Sequence, residues 1–280
     1  MRVPTNGLTL AARAWPETGA PAGGRTIVAI HGLTANHTCW RPMAHALADA
    51  HRLIAYDLRG RGDSDKPARG YSLAHHDADL AGLLDHFGLA RAVLMGHSLG
   101  AHIAVRFAAH HPERVDRLVL FDGGLDVRAE VLDSLAPALA RLGVEFPSAD
   151  AFLERMRGLP MFAGRWNEYL EAYFRYDLEP TPGGVRSKVP RAVIEEEVAN
   201  LQRTRLWVWH HRIAAPTLLL RAPDGLLRED DCLMTQEEAD AMAHAIPRCR
   251  LVVAHGTNHY TVLLGGDPLV AREVRAFLAA

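Results

Sequence analysis

The 280-residue sequence predicts an α/β protein, a mainly parallel, doubly wound sheet interrupted by an inserted helical cap. Three observations carry that prediction. Short runs rich in Val, Ile and Leu alternate with longer stretches of helical periodicity, the pattern of parallel strands covered on both faces by helices. The alternation stops between about 124 and 212 and then resumes. One apolar run ends in Gly96-His97-Ser98-Leu99-Gly100 and passes directly into a small-residue helix, the setting of a sharp strand-to-helix turn.

The elements follow in order. MRVPTNGLTLAARAW, at the N-terminus, lacks the apolar stretch of a secretory leader, and no run approaches the roughly 20 apolar residues that span a bilayer, so a cytoplasmic, non-membrane protein is expected. Strands are expected at 25–32 (RTIVAIHG), 51–60 (HRLIAYDLRG), 91–98 (RAVLMGHS) and 117–124 (RLVLFDGG), with helices near 40–50, 72–87 and 99–111 between them. From 124 to 212 no strand signal appears, and Trp166, Tyr169, Tyr173, Phe174 and Trp207 sit among charged, helix-like stretches, which reads as the cap. Within it EPTPGGVRSKVP, 179–190, is rich in Pro and Gly and is expected to be a loop. Strands at 217–222 (TLLLRA) and 250–256 (RLVVAHG) and helices near 235–246 and 267–279 complete the pattern. The expected division is a core of 1–123 and 213–280 with a cap of 124–212.

Composition narrows the function. At 49% hydrophobic and 23% charged the chain can bury a large core. Thirty-one Lys plus Arg against 33 Asp plus Glu leave no basic field for nucleic acid and no polybasic membrane patch, so the expected partner is a small molecule, bound by a monomer or homodimer. Cys39, Cys232 and Cys249 are odd in number and outside any CxxC pair, and read as reduced thiols. The pairs His75–His76, His110–His111 and His210–His211 lack the i,i+4 spacing of a helical zinc site, and neither a metal nor an organic cofactor is expected.

The chemistry centres on Ser98. Gly96 and Gly100 flank it because a nucleophile lifted onto so tight a turn leaves no room for Cβ atoms two residues to either side. Such a turn exposes the hydroxyl and aims the N–H of Leu99, at a helix N-terminus, at a developing oxyanion.

Four stretches, AIHGLTANHTCW at 29–40, YDLRGRGDSDKP at 56–67, GHSLG at 96–100 and GTNHYTVLL at 256–264, give the chain a resemblance to the α/β-hydrolase superfamily along essentially its whole length. The resemblance implies a catalytic triad in the chain order Ser, acid, His, with Ser98 as nucleophile and His259 as base. It implies a second oxyanion donor at the N–H of Leu33, in the turn after His31-Gly32. Arg61-Gly62-Asp63 spells an adhesion tripeptide but lies inside a loop typical of the superfamily. Of the other histidines, His31 reads first as a structural hydrogen-bonder and second as a pocket wall, whereas His97 and His102 flank the elbow and can line the pocket. The cap aromatics Trp166, Tyr169 and Tyr173 are further pocket candidates, with burial in the cap's own core as the competing reading.

The acid is open between two strand ends. In the commonest hydrolase pattern a strand beginning at a proline such as Pro216 ends in Gly, and the acid follows three residues later. Here Ala222 stands in place of that Gly, the count lands on Gly225, Asp224 falls one residue early, and counting back from Thr235 lands on Asp231. Asp122 ends the strand after the nucleophile helix, where some capped relatives, haloalkane dehalogenases among them, carry their acid; an Asp before Gly-Gly also suits a plain turn. Asp122 is preferred to Asp224. The expected activity is serine hydrolysis of a carboxylic ester or lactone through an acyl-enzyme. The alternatives are a carbon–carbon bond hydrolase of a dienoic ring-fission product and a ligand receptor built on the hydrolase fold.

Overall fold

The computed structural model describes the backbone of all 280 residues and every side chain other than those of 129–132 and 138. The chain opens with an antiparallel hairpin of β1 (Arg2–Thr5) and β2 (Leu8–Trp15), turning at Asn6 and Gly7, both at positive φ. An Asn-Gly pair between alternating apolar residues is a strong hairpin signal, and the strand reading passed over it. Next come β3 (Thr26–Ile30), α1 (Arg41–Leu47), β4 (Arg52–Tyr56), α2 (Leu73–His86), β5 (Ala92–His97), α3 (Leu99–His110) and β6 (Val115–Phe121).

The following segment holds α4 (Ala129–Leu139), β7 (Glu145–Phe146), α5 (Ala149–Arg157), α6 (Glu168–Tyr176), β8 (Leu178–Thr181), β9 (Gly184–Ser187), α7 (Arg191–Leu201) and α8 (Trp207–His210). The chain then returns through β10 (Thr217–Arg221), α9 (Gln236–Ala245), β11 (Cys249–Val253), α10 (Thr261–Leu264) and α11 (Pro268–Ala279). No helix among the described residues is long and apolar enough to cross a membrane.

The eight-stranded sheet has the order β1-β2-β4-β3-β5-β6-β10-β11, with β4, β3, β5, β6, β10 and β11 mutually parallel. Alternate residues of each strand enter different cores. Val28, Ile30, Leu94, Leu118 and Leu120 pack on the face covered by α2 and α3, whereas Ile27, Ala29, Met95, Val119 and Phe121 pack on the opposite face. The inserted segment shares both cores, through Val193, Ile194 and Leu201 on one side and Phe152, Phe162 and Phe174 on the other.

The stretch expected as a loop at 179–190 instead contributes a hairpin to a three-stranded sheet of order β7-β9-β8. Pro180 lies in β8, an edge strand, where the missing N–H is tolerated. Gly184 sits at φ 145°, and a Cβ there would fall 2.0 Å from the Phe146 carbonyl oxygen. The Pro and Gly residues read as loop punctuation are therefore the edge and the close approach of a small sheet.

Parallel strands put all their C-terminal ends on one edge of the sheet, which is where ligands bind in open α/β folds. Leu33 follows β3, Ser98 follows β5, Asp122 follows β6, Asp224 follows β10 and His259 follows β11.

Candidate active site

Ser98 stands between β5 and α3 at φ 55°, ψ −119°, a strained backbone for a residue with a side chain. The turn is held by the Ser98 N–H donating to the Phe121 carbonyl at 3.1 Å and by the Ala101 and His102 amides donating to the Ser98 carbonyl at 2.9 and 3.2 Å. Its glycines are sterically required: a Cβ on Gly96 would lie 2.3 Å from the Gly100 carbonyl oxygen, and one on Gly100 would lie 1.9 Å from that of Ile30. Gly123 packs against the same turn, where a Cβ would come within 2.7 Å of the Ser98 carbonyl oxygen. Ser98 remains half-buried and reachable.

His259 is buried, and its Nδ1 lies 2.8 Å from Asp122 Oδ2. With an acceptor-only carboxylate at that distance, Nδ1 carries the hydrogen and Nε2 is left as the basic nitrogen. Asp122 is fixed in turn: its N–H donates to Leu220 at 2.8 Å, its Oδ1 accepts the Ala222 N–H at 3.1 Å, and its φ is 45°. The backbone of His259 is anchored by His97, whose Nε2–H donates to the His259 carbonyl at 2.7 Å while the two rings lie 4.5 Å apart.

The other acids of the acidic loop have different partners. Asp224 pairs with Arg165 at 2.7 Å, its N–H donates to Thr257, and both side chains are about one-third exposed. Asp231 accepts the backbone N–H groups of Leu226, Leu227 and Arg228 through Oδ1 at 2.6, 3.2 and 3.2 Å, an anion-in-turn arrangement that closes its own loop. Neither is bonded to His259; the preferred Asp122 is.

The turn carrying Leu33 lies directly against the elbow. A Cβ on Gly32 would sit 3.2 Å from the Ser98 Cβ and from His97 Nδ1, so any side chain there would push this loop from the elbow by a few tenths of an ångström. The Gly32 carbonyl accepts from His31 Nδ1 at 2.8 Å and from the Ala35 N–H at 3.1 Å, which fixes the peptide plane that contains the Leu33 N–H. Leu99 is the first residue of α3, so its N–H has no intrahelical acceptor.

His31 is fully buried and accepts the Leu58 N–H at Nε2, 2.9 Å. It does not face the cavity, which corrects its placement as a pocket wall: both ring nitrogens are used by the backbone. Burial drives the His31 pKa down to about 3 despite the attraction of Asp57. Burial likewise lowers His102 to about 4, and burial with the His259 ring beside it lowers His97 well below its ordinary range. The three histidines around the elbow are therefore neutral.

Ser98 opens onto two cavities that share Leu33 and Leu135 as walls. The first is lined by His259, His97, Tyr173, Tyr260 and Leu264; the second by Leu99, His102, Asp126, Val198, Leu201 and Leu233. His97 and Tyr173 thus occupy the expected pocket. Trp166 and Tyr169 do not line it: Trp166 stacks on Phe174 at 5.7 Å within the inserted segment, and the Tyr169 hydroxyl meets His45 at 3.3 Å, half-buried. Helical spacing of aromatics looks alike whether the stripe faces a cavity or its own core. No Lys or Arg among the described residues lines either cavity, and no three His, Cys, Asp or Glu side chains among them are grouped to hold a metal ion.

Residues 25–265 match the family model described as alpha/beta hydrolase fold. A 2-(acetamidomethylene)succinate hydrolase of Mesorhizobium japonicum is 30% identical over 241 residues, covering 85% of this chain and 82% of that protein. An uncharacterized protein of Mycobacterium bovis is 41% identical over 252 residues, covering 85% of this chain and 70% of that protein. Among solved structures, that of an E-2-(acetamidomethylene)succinate hydrolase superimposes with a TM-score of 0.87 at 26% identity, covering 100% of this chain and 98% of that one.

Proposed function

This chain belongs to the α/β-hydrolase fold family, and on that premise we propose that it hydrolyses an uncharged carboxylic ester or lactone through an acyl-enzyme on Ser98. The carrying observation is the Asp122–His259 hydrogen bond at 2.8 Å in a site where His259 and a strained, reachable Ser98 line one cavity. In this reading His259 Nε2 takes the Ser98 hydroxyl proton as Oγ bonds to the substrate carbonyl carbon. The carbonyl π pair moves onto oxygen, which receives the N–H groups of Leu33 and Leu99. Collapse of the tetrahedral adduct expels the alkoxide, which leaves with the proton held on Nε2. A water activated by the same nitrogen then cleaves the acyl-enzyme, and Asp122 stabilises the imidazolium in both halves.

The two cavities divide by the same chemistry. The leaving oxygen must be reached by His259, so the cavity that His259 lines takes the alcohol portion. The cavity lined by Leu99 but not His259 takes the acyl chain. Both walls are mainly apolar, and the two carboxylates in the second, Asp122 and Asp126, would repel an acyl chain bearing a negative charge. The Mesorhizobium relative's named substrate carries two carboxylates, and no Lys or Arg among the described residues lines the cavities here to pair with them.

A panel of p-nitrophenyl esters tests this reading. Butanoate or hexanoate should be turned over at least tenfold faster, by kcat/KM, than the succinate half-ester of matching length. Preference for the charged half-ester would reverse the substrate assignment, and no turnover across the panel would count against the esterase reading itself.

A further inference from the structure

The loop that carries Leu33 is held by two buried guanidinium groups, each paired with a carboxylate of the inserted segment. Arg61 is fully buried and donates from Nε to the Leu33 carbonyl at 2.9 Å and from Nη1 to the Arg59 carbonyl at 2.8 Å. Its Nη2 is bonded to Glu197 of α7, itself 1% exposed, whose other oxygen lies 2.7 Å from His76 Nε2. One residue along, Arg141 donates from Nη2 to the Thr34 carbonyl at 2.9 Å and meets Asp177, just after α6, at 3.3 Å. A third tie, Asn36 Nδ2 to the Tyr173 carbonyl at 3.2 Å, anchors the loop to α6.

These ties fix the peptides on both sides of Leu33. His31 and Ala35 hold the Gly32 carbonyl, and Arg61 holds the Leu33 carbonyl, so the direction of the Leu33 N–H is set by both. A guanidinium gives a planar, rigid fork, so the position of its carboxylate partner is transmitted to the carbonyl on the other side. That partner belongs to the cap.

We propose that the cap completes the oxyanion hole. Glu197, acting through Arg61 on the Leu33 carbonyl, and Asp177, acting through Arg141 on the Thr34 carbonyl, are positioning residues that hold the Leu33 N–H where the oxyanion forms. The seating of α6 and α7 thus sets the rate of the chemical step as well as the shape of the acyl cavity. This rests on the acyl-enzyme reading above, with Leu33 as a donor.

The test is Glu197→Gln, assayed with p-nitrophenyl acetate, a substrate too small to depend on the cap for binding, and with an aryl trifluoromethyl ketone, whose adduct with Ser98 presents an oxyanion. Displacing an oxyanion donor by a fraction of an ångström to one ångström costs about tenfold to 10²-fold in rate. A positioning role predicts that kcat falls at least tenfold, that the ketone's Ki rises by the same factor, and that KM for the acetate changes less than twofold. A purely structural role lowers thermal stability and leaves kcat per folded molecule and Ki unchanged, which would overturn the proposal. If the parent itself turns over no ester, the hydrolase reading fails; if the parent does and Glu197→Gln matches it, only this proposal fails.

Should Glu197→Gln not fold, hydrogen exchange on the unaltered protein decides. Amides of 33–36 and of α7 should open with matching protection, because the loop is clamped to the cap. A loop that stays protected while α7 opens far more readily would overturn the coupling.

Discussion

Replacing Asp122 by Asn tests the acid with almost no change of shape. The Oδ1 that accepts the Ala222 N–H can stay an acceptor, which leaves the new amide NH₂ facing His259 Nδ1 at the place of the present 2.8 Å bond. Two donors cannot share that contact, so the imidazole shifts its hydrogen to Nε2 and can no longer take the Ser98 proton. Where a triad is intact, this tautomer change costs about 10⁴ in kcat, or about 5.5 kcal/mol of barrier. Asp224→Asn removes only a partly exposed pairing with Arg165, for which a stability loss of about 1 kcal/mol or less and an unchanged kcat are expected. Steady-state kcat on p-nitrophenyl butanoate, with folding checked by circular dichroism, separates the two. The reasoning is refuted if Asp122→Asn keeps more than about a tenth of parental kcat while Asp224→Asn loses it.

Acid stability follows from the buried neutral histidines. His102 and His31 have folded pKa values of about 4 and about 3, below the 6.5 of an exposed imidazole, so the unfolded chain binds protons first and stability falls as pH drops below about 6.5. Each contributes a loss of about 2 kcal/mol between pH 7 and pH 5, and a urea midpoint unchanged over that interval would contradict this. Glu197, which burial would raise but Arg61 and His76 bring down to about 2, adds stability that is present above the ordinary carboxylate range and is lost progressively as pH falls from about 4.5 to about 2. Gly123→Ala places a Cβ within 2.7 Å of the Ser98 carbonyl oxygen and 2.9 Å of its Cα, so it should disrupt the elbow. A folded Gly123→Ala protein with full activity would show that the turn relaxes more easily than its packing implies.

The sequence made the strand-and-helix rhythm legible because both faces of the parallel strands are buried, which leaves uninterrupted Val, Ile and Leu runs. It also marked Ser98, since Gly96 and Gly100 are sterically obligatory around it. The pairing of His259 was harder to read: two strand ends offered carboxylates, and which one points at the imidazole depends on backbone geometry, here a positive φ at Asp122 that spacing cannot reveal. Arg61 stood inside a recognised loop, but its partner Glu197 lies 136 positions away, and no local pattern announces such a pair. The hairpin of the inserted segment was not legible because Pro and Gly signal loops and edge strands alike. His31 and Trp166 were misplaced for one reason: a polar or aromatic side chain beside a site can serve the backbone or the core instead.

The most direct test of the central claim is intact-mass analysis after reaction with a fluorophosphonate. The account predicts one covalent adduct on the parent, located by peptide mapping at Ser98, with loss of ester hydrolysis in step with labelling and no adduct on Ser98→Ala. Undiminished labelling of Ser98→Ala, or full labelling of the parent with hydrolysis intact, would contradict it.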